Sequence, residues 1–599
     1  MLQQHIFLPA LFGSRRLEPL PGKTGYIPGR MLSIFIGVYI VLNIILSSVS
    51  FRNFSPNTWF ASPQFEMCEY VGNRTGTLSL VNMTIAILFA GRNNILIAIT
   101  GWNQTTFLTL HRWAARISVL QAVVHSIAYT LAYFEPGSGG AARYATEAAK
   151  PFYVSPLDFY MFIYTSLFVI SAACHSLTDL SQQYWGIIAT IALCLVLPFS
   201  ILPLRTKFYE FFLITHIVLV ILGLVGCWYH LVPHFGYTFG YQVWLYIAFA
   251  FWSADRFARL ARIAYYNRLG SSKAVVEVIP GCDIMQVTVF PRVAYGGPGQ
   301  HSFLYIPGLG RFWESHPFSI VGWKKPGQII TTTSIPSSIS DSTSKGETTA
   351  GVVSTATELC STPNSTKQGR PQAQKQDCPS IQFLIRTHAG LTSTLRRSLL
   401  ASPSGCSLET SIYTEGPYAG HRATLQPLYA ADTVLCLVGG IGITHVLGFV
   451  QEYTSAILQK GETSGKSRGT TKQATRFILA WSAKESALID HVKQNFLTKG
   501  DASNGIEYSF WCTGPSNTAE NKLESIENKA VSLTPELTAG VTAGRMNVET
   551  VIRSSLEVGQ QTTVLVCGPG NMTDEATRHV VNCVKDGFKV DLVEEAYAW

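Results

Sequence analysis

Six apolar stretches crowd the first 256 of this chain's 599 residues, at 31–50, 78–100, 107–133, 184–204, 208–231 and 241–254. A hydrocarbon layer ~30 Å thick offers no water to backbone N–H and C=O groups, so only helices of about 20 residues or closed barrels cross it. The pattern predicts a helical bundle. Two stretches carry histidine pairs with one spacing: His111 and His125 in the third, His216 and His230 in the fifth, fourteen residues apart in each. At ~100° and ~1.5 Å per residue, fourteen steps fall about 40° short of four turns and rise roughly 21 Å. Each pair points in nearly one direction, so two such helices side by side offer two stacked bis-imidazole sites, one per leaflet. Imidazole on both axial positions of a haem iron makes an electron carrier. Packing or a proton relay explains a lone intramembrane histidine as well. Polar side chains in a bilayer are costly, however, and the repeat on two helices favours ligation. His175 has no partner at that spacing and is not expected to be a ligand.

Basic residues set the expected orientation. Arg15, Arg16, Lys23 and Arg30 precede the first stretch, Arg205 and Lys207 separate the fourth from the fifth, and Arg256, Arg259, Arg262 and Arg268 follow the sixth. With six crossings all three clusters fall on one side, which the positive-inside rule makes cytoplasmic. The third and fifth helices then run outward, pairing His111 with His216 on the inner side and His125 with His230 on the outer. The sequon Asn73-Arg74-Thr75 is expected in the first external loop, open to glycosylation. Residues 154–182 interrupt the pattern and read as an external loop, a re-entrant piece or a retained intron, whose removal leaves six helices. The clusters account for the net charge of +8, which asks for no nucleic acid. Twelve cysteines without a CxxC pair suggest reduced thiols.

Beyond Arg256 the pattern is that of a soluble protein. Short strands at 274–279, 284–290 and 301–306 suggest an antiparallel barrel. It carries His316-Pro317-Phe318-Ser319 and then Arg386, Gly390 and Thr392. The intervening Ser- and Thr-rich segment 331–380 cannot bury enough apolar surface to fold. A second module begins near Asp432, where strand 434–438 runs into Gly439-Gly440-Ile441-Gly442-Ile443-Thr444 and a helix. Small residues there admit close approach, and a helix N-terminus presents free N–H groups to phosphate. A later strand ends in Cys567-Gly568-Pro569. Strands alternating with helices predict a parallel sheet with its ligand crevice at the strand C-termini. The expected division is a cytoplasmic segment 1–30, a transmembrane domain 31–256, a barrel 271–425 and an α/β domain 426–599.

With Leu110-His111-Arg112-Trp113, Glu415-Gly416-Pro417-Tyr418 and the terminal Glu594-Glu595-Ala596-Tyr597-Ala598-Trp599, these motifs make the chain resemble the fungal plasma-membrane ferric-chelate reductases, which belong with the NADPH oxidases in one superfamily. The resemblance runs from about residue 28 to the end, apart from the inserts. It implies an α-helical transmembrane bundle of six core helices with two haems, followed by a cytoplasmic FAD-binding β-barrel and a ferredoxin-NADP reductase-like α/β domain. It implies two b-type haems on His111, His125, His216 and His230. His316, Pro317, Phe318 and Ser319 are expected to hold FAD, with Arg386 on its phosphates near Gly390 and Thr392. Gly439, Gly440, Gly442, Thr444, Cys567, Gly568 and Pro569 are expected to hold NADPH, and Trp599 to face the flavin. Lys484, just past strand 477–481, reads equally as a partner of the 2′-phosphate or as a solvated surface lysine, where the family often has Arg. Arg92, Arg112 and Arg116 are candidate partners of the haem propionates.

The activity so implied is NADPH-dependent reduction of extracellular Fe(III) or Cu(II) chelates across the plasma membrane, coupled to a high-affinity iron uptake system. A superoxide-forming NADPH oxidase would carry the same cofactors, and the lack of an Asp-x-Asp-x-Asp-Gly calcium loop weighs against it. From another class, a six-helix transporter with a nucleotide-sensing tail would use the histidines for protons.

Overall fold

The computed structural model describes residues 9–13, 16–17, 25–60, 62–134, 182–236, 239–311, 314–325, 378–420, 425–460, 470–471, 473–497, 505–514 and 540–595. His175, residues 154–181, residues 331–377 and Trp599 lie outside them. One compact unit spans Met1–Ala258 and the other Arg259–Tyr597.

Six long helices among the described residues build the first unit: α1 (Arg30–Ser48), α2 (Pro63–Ala90), α3 (Gln104–Phe134), α4 (Gln182–Phe199), α5 (Tyr209–Phe235) and α6 (Val243–Asn267), the last continuing past the unit's end. Ser62 starts α2 by accepting the Phe65 N–H at 3.0 Å, and Pro63 follows where no donor is missed. Neighbouring helices run antiparallel. Gly72, Ser79 and Ala86 of α2 meet His125, Ser118 and His111 of α3, and Ser200, just past α4, meets His216 of α5. The outer face is apolar, with Val38 64% and Ile44 58% exposed, and suits lipid rather than water. The interior is partly polar. Asn82 Nδ2 donates to Asn43 Oδ1 at 2.6 Å and to Gln121 Oε1 at 2.7 Å, while Tyr39 donates to Asn82 Oδ1. Partners for these buried amides are what a hydrocarbon environment demands.

Three expectations change. The stretch 78–100 is not one span: α2 stops at Ala90, and a short helix, Ile95–Thr100, restarts under the Asn94 side-chain cap. By length and composition, Arg30–Ser48, Gln104–Phe134 and Tyr209–Val232 suffice to cross a membrane, while Tyr184–Phe199 is apolar but shorter. The sequon lies inside α2 rather than in a loop. Asn73 Oδ1 accepts from the Tyr129 hydroxyl at 2.7 Å, and Thr75 is buried with its hydroxyl donating to Val71 O, so both polar side chains of the sequon are engaged within the bundle. The polar run that looked like loop is the start of a long helix with a polar inner face. Finally, Cys378 is disulfide-bonded, while nine other described cysteines are free. A search for CxxC spacing does not see a pairing of that kind.

The second unit opens with a seven-stranded antiparallel sheet, order β4-β3-β7-β1-β2-β6-β5, from β1 (Ser272–Val278), β2 (Ile284–Phe290), β3 (Gln300–Tyr305), β4 (His316–Ser319), β5 (Gly322–Lys324), β6 (Ser380–Arg386) and β7 (Ser407–Ala419). Only Ile320 and Val321 separate the edge strands β4 and β5. Their N–H groups donate to Gln300 O of β3 and Gln382 O of β6, at 2.9 Å each, and so close the sheet on itself. Alternate residues, including Ala274, Val276, Val287, Val289 and Phe383, fill the interior. Helix α7 (Leu391–Leu400) follows β6.

Six parallel strands come next, order β11-β10-β9-β8-β12-β13, comprising β8 (Thr433–Gly439), β9 (Arg476–Ala483), β10 (Ile506–Cys512), β11 (Val541–Ala543), β12 (Gln561–Cys567) and β13 (Lys589–Glu594). Helices α8 (Ile443–Lys460), α9 (Ser486–Asn495), α10 (Val548–Ser554) and α11 (Gly570–Lys585) connect them. Strand β8 is buried at every position, as a central parallel strand covered on both faces should be. Barrel and α/β layer are not separate bodies. Ile279, Ile284, Val321 and Leu384 of the barrel share one core with Val446, Phe449 and Leu488.

Candidate cofactor sites

The four spaced histidines come together in the pairs that six crossings require. The His111 and His216 ring centroids lie 6.2 Å apart, and those of His125 and His230 6.0 Å. An iron bound by two imidazole nitrogens at ~2 Å each places the centroids about 6 Å apart. Their outward nitrogens are engaged: His111 Nδ1 donates to Ala86 O at 2.8 Å, His125 Nδ1 to Gly72 O at 2.7 Å, and His216 Nδ1 lies 3.2 Å from Ser200 Oγ. Such bonds fix the tautomer and leave Nε2 as the ligand atom. A Cβ on Gly76 would stand 2.7 Å from His125 Nδ1, and one on Gly186 2.7 Å from His230 Nδ1. The outer pair thus has glycine behind each ring, an arrangement that fits bis-histidine haem. Sequence spacing found the paired histidines and missed both glycines. Of the candidate propionate partners, Arg112 donates to Thr109 Oγ1 at 2.7 Å and Arg116 lies over Trp113.

In the barrel, His316-Pro317-Phe318-Ser319 forms all of β4, and His316 Nε2 is 3.0 Å from Glu314 Oε1. Arg386 ends β6 and reaches Glu485 with Nη2 at 3.0 Å, but its buried Nε meets no partner. Gly390 starts α7 at φ +89 without a side-chain cap, and nothing lies within 4 Å of where its Cβ would be. Thr392 is tied back to His388, accepting from N at 2.8 Å and donating to O at 2.9 Å. An orphaned guanidinium nitrogen beside an uncapped helix start is a fit for pyrophosphate.

Strand order reverses between β8 and β12, and the two glycine turns lie there side by side. A Cβ on Gly439 would be 2.6 Å from Pro569 Cδ, and one on Gly442 2.4 Å from Cys567 O. Gly442 is therefore small to admit the neighbouring turn. Gly440 differs: its φ of +55 needs glycine, and its Cβ position is open, which is where phosphate could approach. Thr444 donates to Ile441 O at 3.0 Å, and the Trp481 indole donates to Gly440 O at 2.9 Å, so the loop is braced from both sides. Lys484 is exposed just past the end of β9. Burial pushes the Cys567 thiol well up, so Cys567 serves as a neutral wall.

Glu415-Gly416-Pro417-Tyr418 is more than a turn between modules. Glu415 is fully buried and accepts from Arg259 Nε at 3.0 Å, from Tyr418 OH at 2.7 Å and from Tyr305 OH. Arg262 donates to Pro417 O at 2.9 Å. The end of α6 is thereby locked to β7 of the barrel, through residues that the charge pattern reads only as a cytoplasmic basic cluster.

Comparison with known proteins gives three family models in chain order: "Ferric reductase like transmembrane component" over residues 75–227, "FAD-binding domain" over 268–347 and "Ferric reductase NAD binding domain" over 431–581. Among similar proteins, ferric reductase transmembrane component 3 of Saccharomyces cerevisiae is 24% identical over all of this chain and 71% of its own length. Ferric/cupric reductase transmembrane component 1 of Candida albicans is 28% identical over 64% of this chain and 45% of its own. The chain thus spans between about half and three-quarters of the length of these relatives. A ferredoxin NADP+ reductase from Neisseria gonorrhoeae covers 54% of this chain and 97% of its own, at 11% identity and a TM-score of 0.29.

Proposed function

From membership of the ferric reductase family, we propose that this chain is a membrane-bound, NADPH-dependent reductase of extracellular ferric and cupric chelates. The observation that carries the reading is the stacking of two imidazole pairs, 6.2 and 6.0 Å between centroids, in a chain that also carries flavin and nicotinamide modules. His111 and His216 would hold the inner haem, His125 and His230 the outer. Gly390 and Arg386 would hold the FAD pyrophosphate with His316, Pro317, Phe318 and Ser319 along the flavin. The β8 and β12 turns would hold NADPH, with Lys484 at the 2′-phosphate. When bound, these groups turn a two-electron hydride donor into a one-electron supply that spans the bilayer. With two histidines for each haem, no iron position would be left for an incoming ligand, and external acceptors would be reduced without binding the haem iron. One NADPH reduces two Fe(III) and leaves as NADP+ with release of one proton.

Orientation is argued from charge. Arg30 begins α1, and Arg205 and Lys207 lie between α4 and α5, shortly before His216; by the positive-inside rule these charges favour a cytoplasmic face at the His111–His216 end. With the plasma membrane as location, the Fe(II) product would feed a high-affinity uptake system outside the cell. The test offers both acceptors to intact cells expressing the chain. Ferrous-chelator colour that persists with superoxide dismutase present supports a metalloreductase. Colour that dismutase abolishes means an oxidase, with metal reduced only by superoxide. Membranes without a b-type haem difference spectrum would end both readings and favour a transporter.

A further inference from the structure

A cavity of about 510 Å³ opens between the end of α1 and the first half of α2, lined by Arg52, Arg74, Tyr70, Asn73, Thr77 and Tyr241 among others. Its volume is that of a small-molecule pocket. Ser50, at φ +65, turns the chain after α1 so that Phe51 and Arg52 line it. Arg74 is held in place, its guanidinium 4.2 Å over the Phe51 ring and bonded to Val49 O. Tyr70 is fixed by its hydroxyl, which donates to the buried Glu66 at 2.9 Å.

The wall of this cavity is also the support of the outer histidine. Gly72 accepts from His125, Gly76 lies against its ring, and Asn73 and Thr77 on the same turns face the cavity. Tyr129 links the two sides, its hydroxyl on Asn73 at 2.7 Å and its ring 5.0 Å from that of His125.

We propose that this cavity is the docking site of the electron acceptor, and that it selects anionic polycarboxylate chelates of Fe(III). The inference rests on the reductase reading and names that reading's substrate class. Two guanidinium groups are the cationic lining, and their planar forks match carboxylates in a way no neutral chelate can use. The docked Fe(III) gains one electron and becomes Fe(II); no bond to the chelate is made or broken by the protein.

The experiment uses the full-length holoprotein in lipid nanodiscs with NADPH, and compares ferric citrate with hexaammineruthenium(III), a cationic acceptor. Arg52→Glu is expected to raise KM for ferric citrate about tenfold, the scale of a charge reversal in a charge-lined cleft, and to lower KM for the ruthenium complex. kcat and the haem difference spectrum should stay as in the parent. Arg52→Gln should give a smaller shift of the same sign, and keeps the test intact if Arg52→Glu fails to fold. A ferric citrate KM unchanged in both Arg52 variants, or equal shifts for both acceptors, overturns the docking site and leaves the reductase reading standing. Failure of the unmodified protein, with both haems present, to reduce either acceptor would instead sink the reductase reading itself.

Discussion

In the helical unit, Gly76 and Gly186 stand where a Cβ would press at 2.7 Å on the rings of His125 and His230; in the nucleotide unit, Gly442 stands where a Cβ would press at 2.4 Å on the Cys567 carbonyl. Both keep space beside a candidate cofactor site, but the neighbours differ in what they can do. An imidazole can swing away, abandoning its bond to the opposite helix and its axial position. A carbonyl at the end of a central strand cannot move without the sheet. The inner histidines are braced instead by Ala86 O and the Ser200 hydroxyl, softer supports than a glycine notch. A misplaced methyl group therefore costs function in one unit and stability in the other.

The largest effect is expected at the outer histidines. Gly186→Val should displace His230, roughly halve the low-spin b-haem absorbance and stop transfer to external acceptors. Ser200→Ala, beside His216, should keep both haems. Full haem content and normal turnover in Gly186→Val would erase the difference between the two pairs.

Next comes Gly442→Ala, expected to cost about 2–4 kcal/mol, because overpacking against backbone cannot relax. Flavin and nucleotide binding should fall together in a thermal-shift assay while the haem spectrum is unchanged. Gly440→Ala meets open space, and only its φ of +55 opposes the new side chain, at about 1 kcal/mol. NADPH affinity should weaken several-fold with FAD retained. Equal damage from the two substitutions would show that the loop tolerates no Cβ anywhere.

A pH dependence confined to the nucleotide unit is a further expected effect. Burial, with His301 adding to it, holds His445 down to about 4 from 6.5. Between pH 6.5 and 4 the unfolded chain takes up a proton that the folded chain refuses. Stability present above pH 6.5 is thus lost as pH falls through that window, by up to about 3 kcal/mol. Hydrogen exchange of α8 in the full chain, corrected for intrinsic rates, should accelerate accordingly, and His445→Gln should flatten the trend. A parallel change in the α3 amides would mean that the two units do not respond separately.

Some features were open to reading from the chain alone because they depend on near neighbours in sequence. Fourteen-residue spacing on a helix fixes direction and rise, so the histidine pairs are legible without any packing. Strand, glycine turn and helix in succession likewise announced the module at Gly439. Other features depend on partners far apart in sequence. Gly76 and Gly186 are ordinary helical glycines until α3 and α5 bring rings against them. That Gly442 also admits the neighbouring turn shows only once β12 lies beside β8. The sequon was placed in a loop because its residues are polar, yet they form the inner face of a helix whose partners come from α1 and α3. Arg259 read as one of a basic cluster, and only the closed barrel put Glu415, Tyr305 and Tyr418 around it. Local periodicity determined the elements and the spacing that pairs the histidines; close approach between distant segments, which leaves no mark on either segment alone, was decided by the tertiary structure.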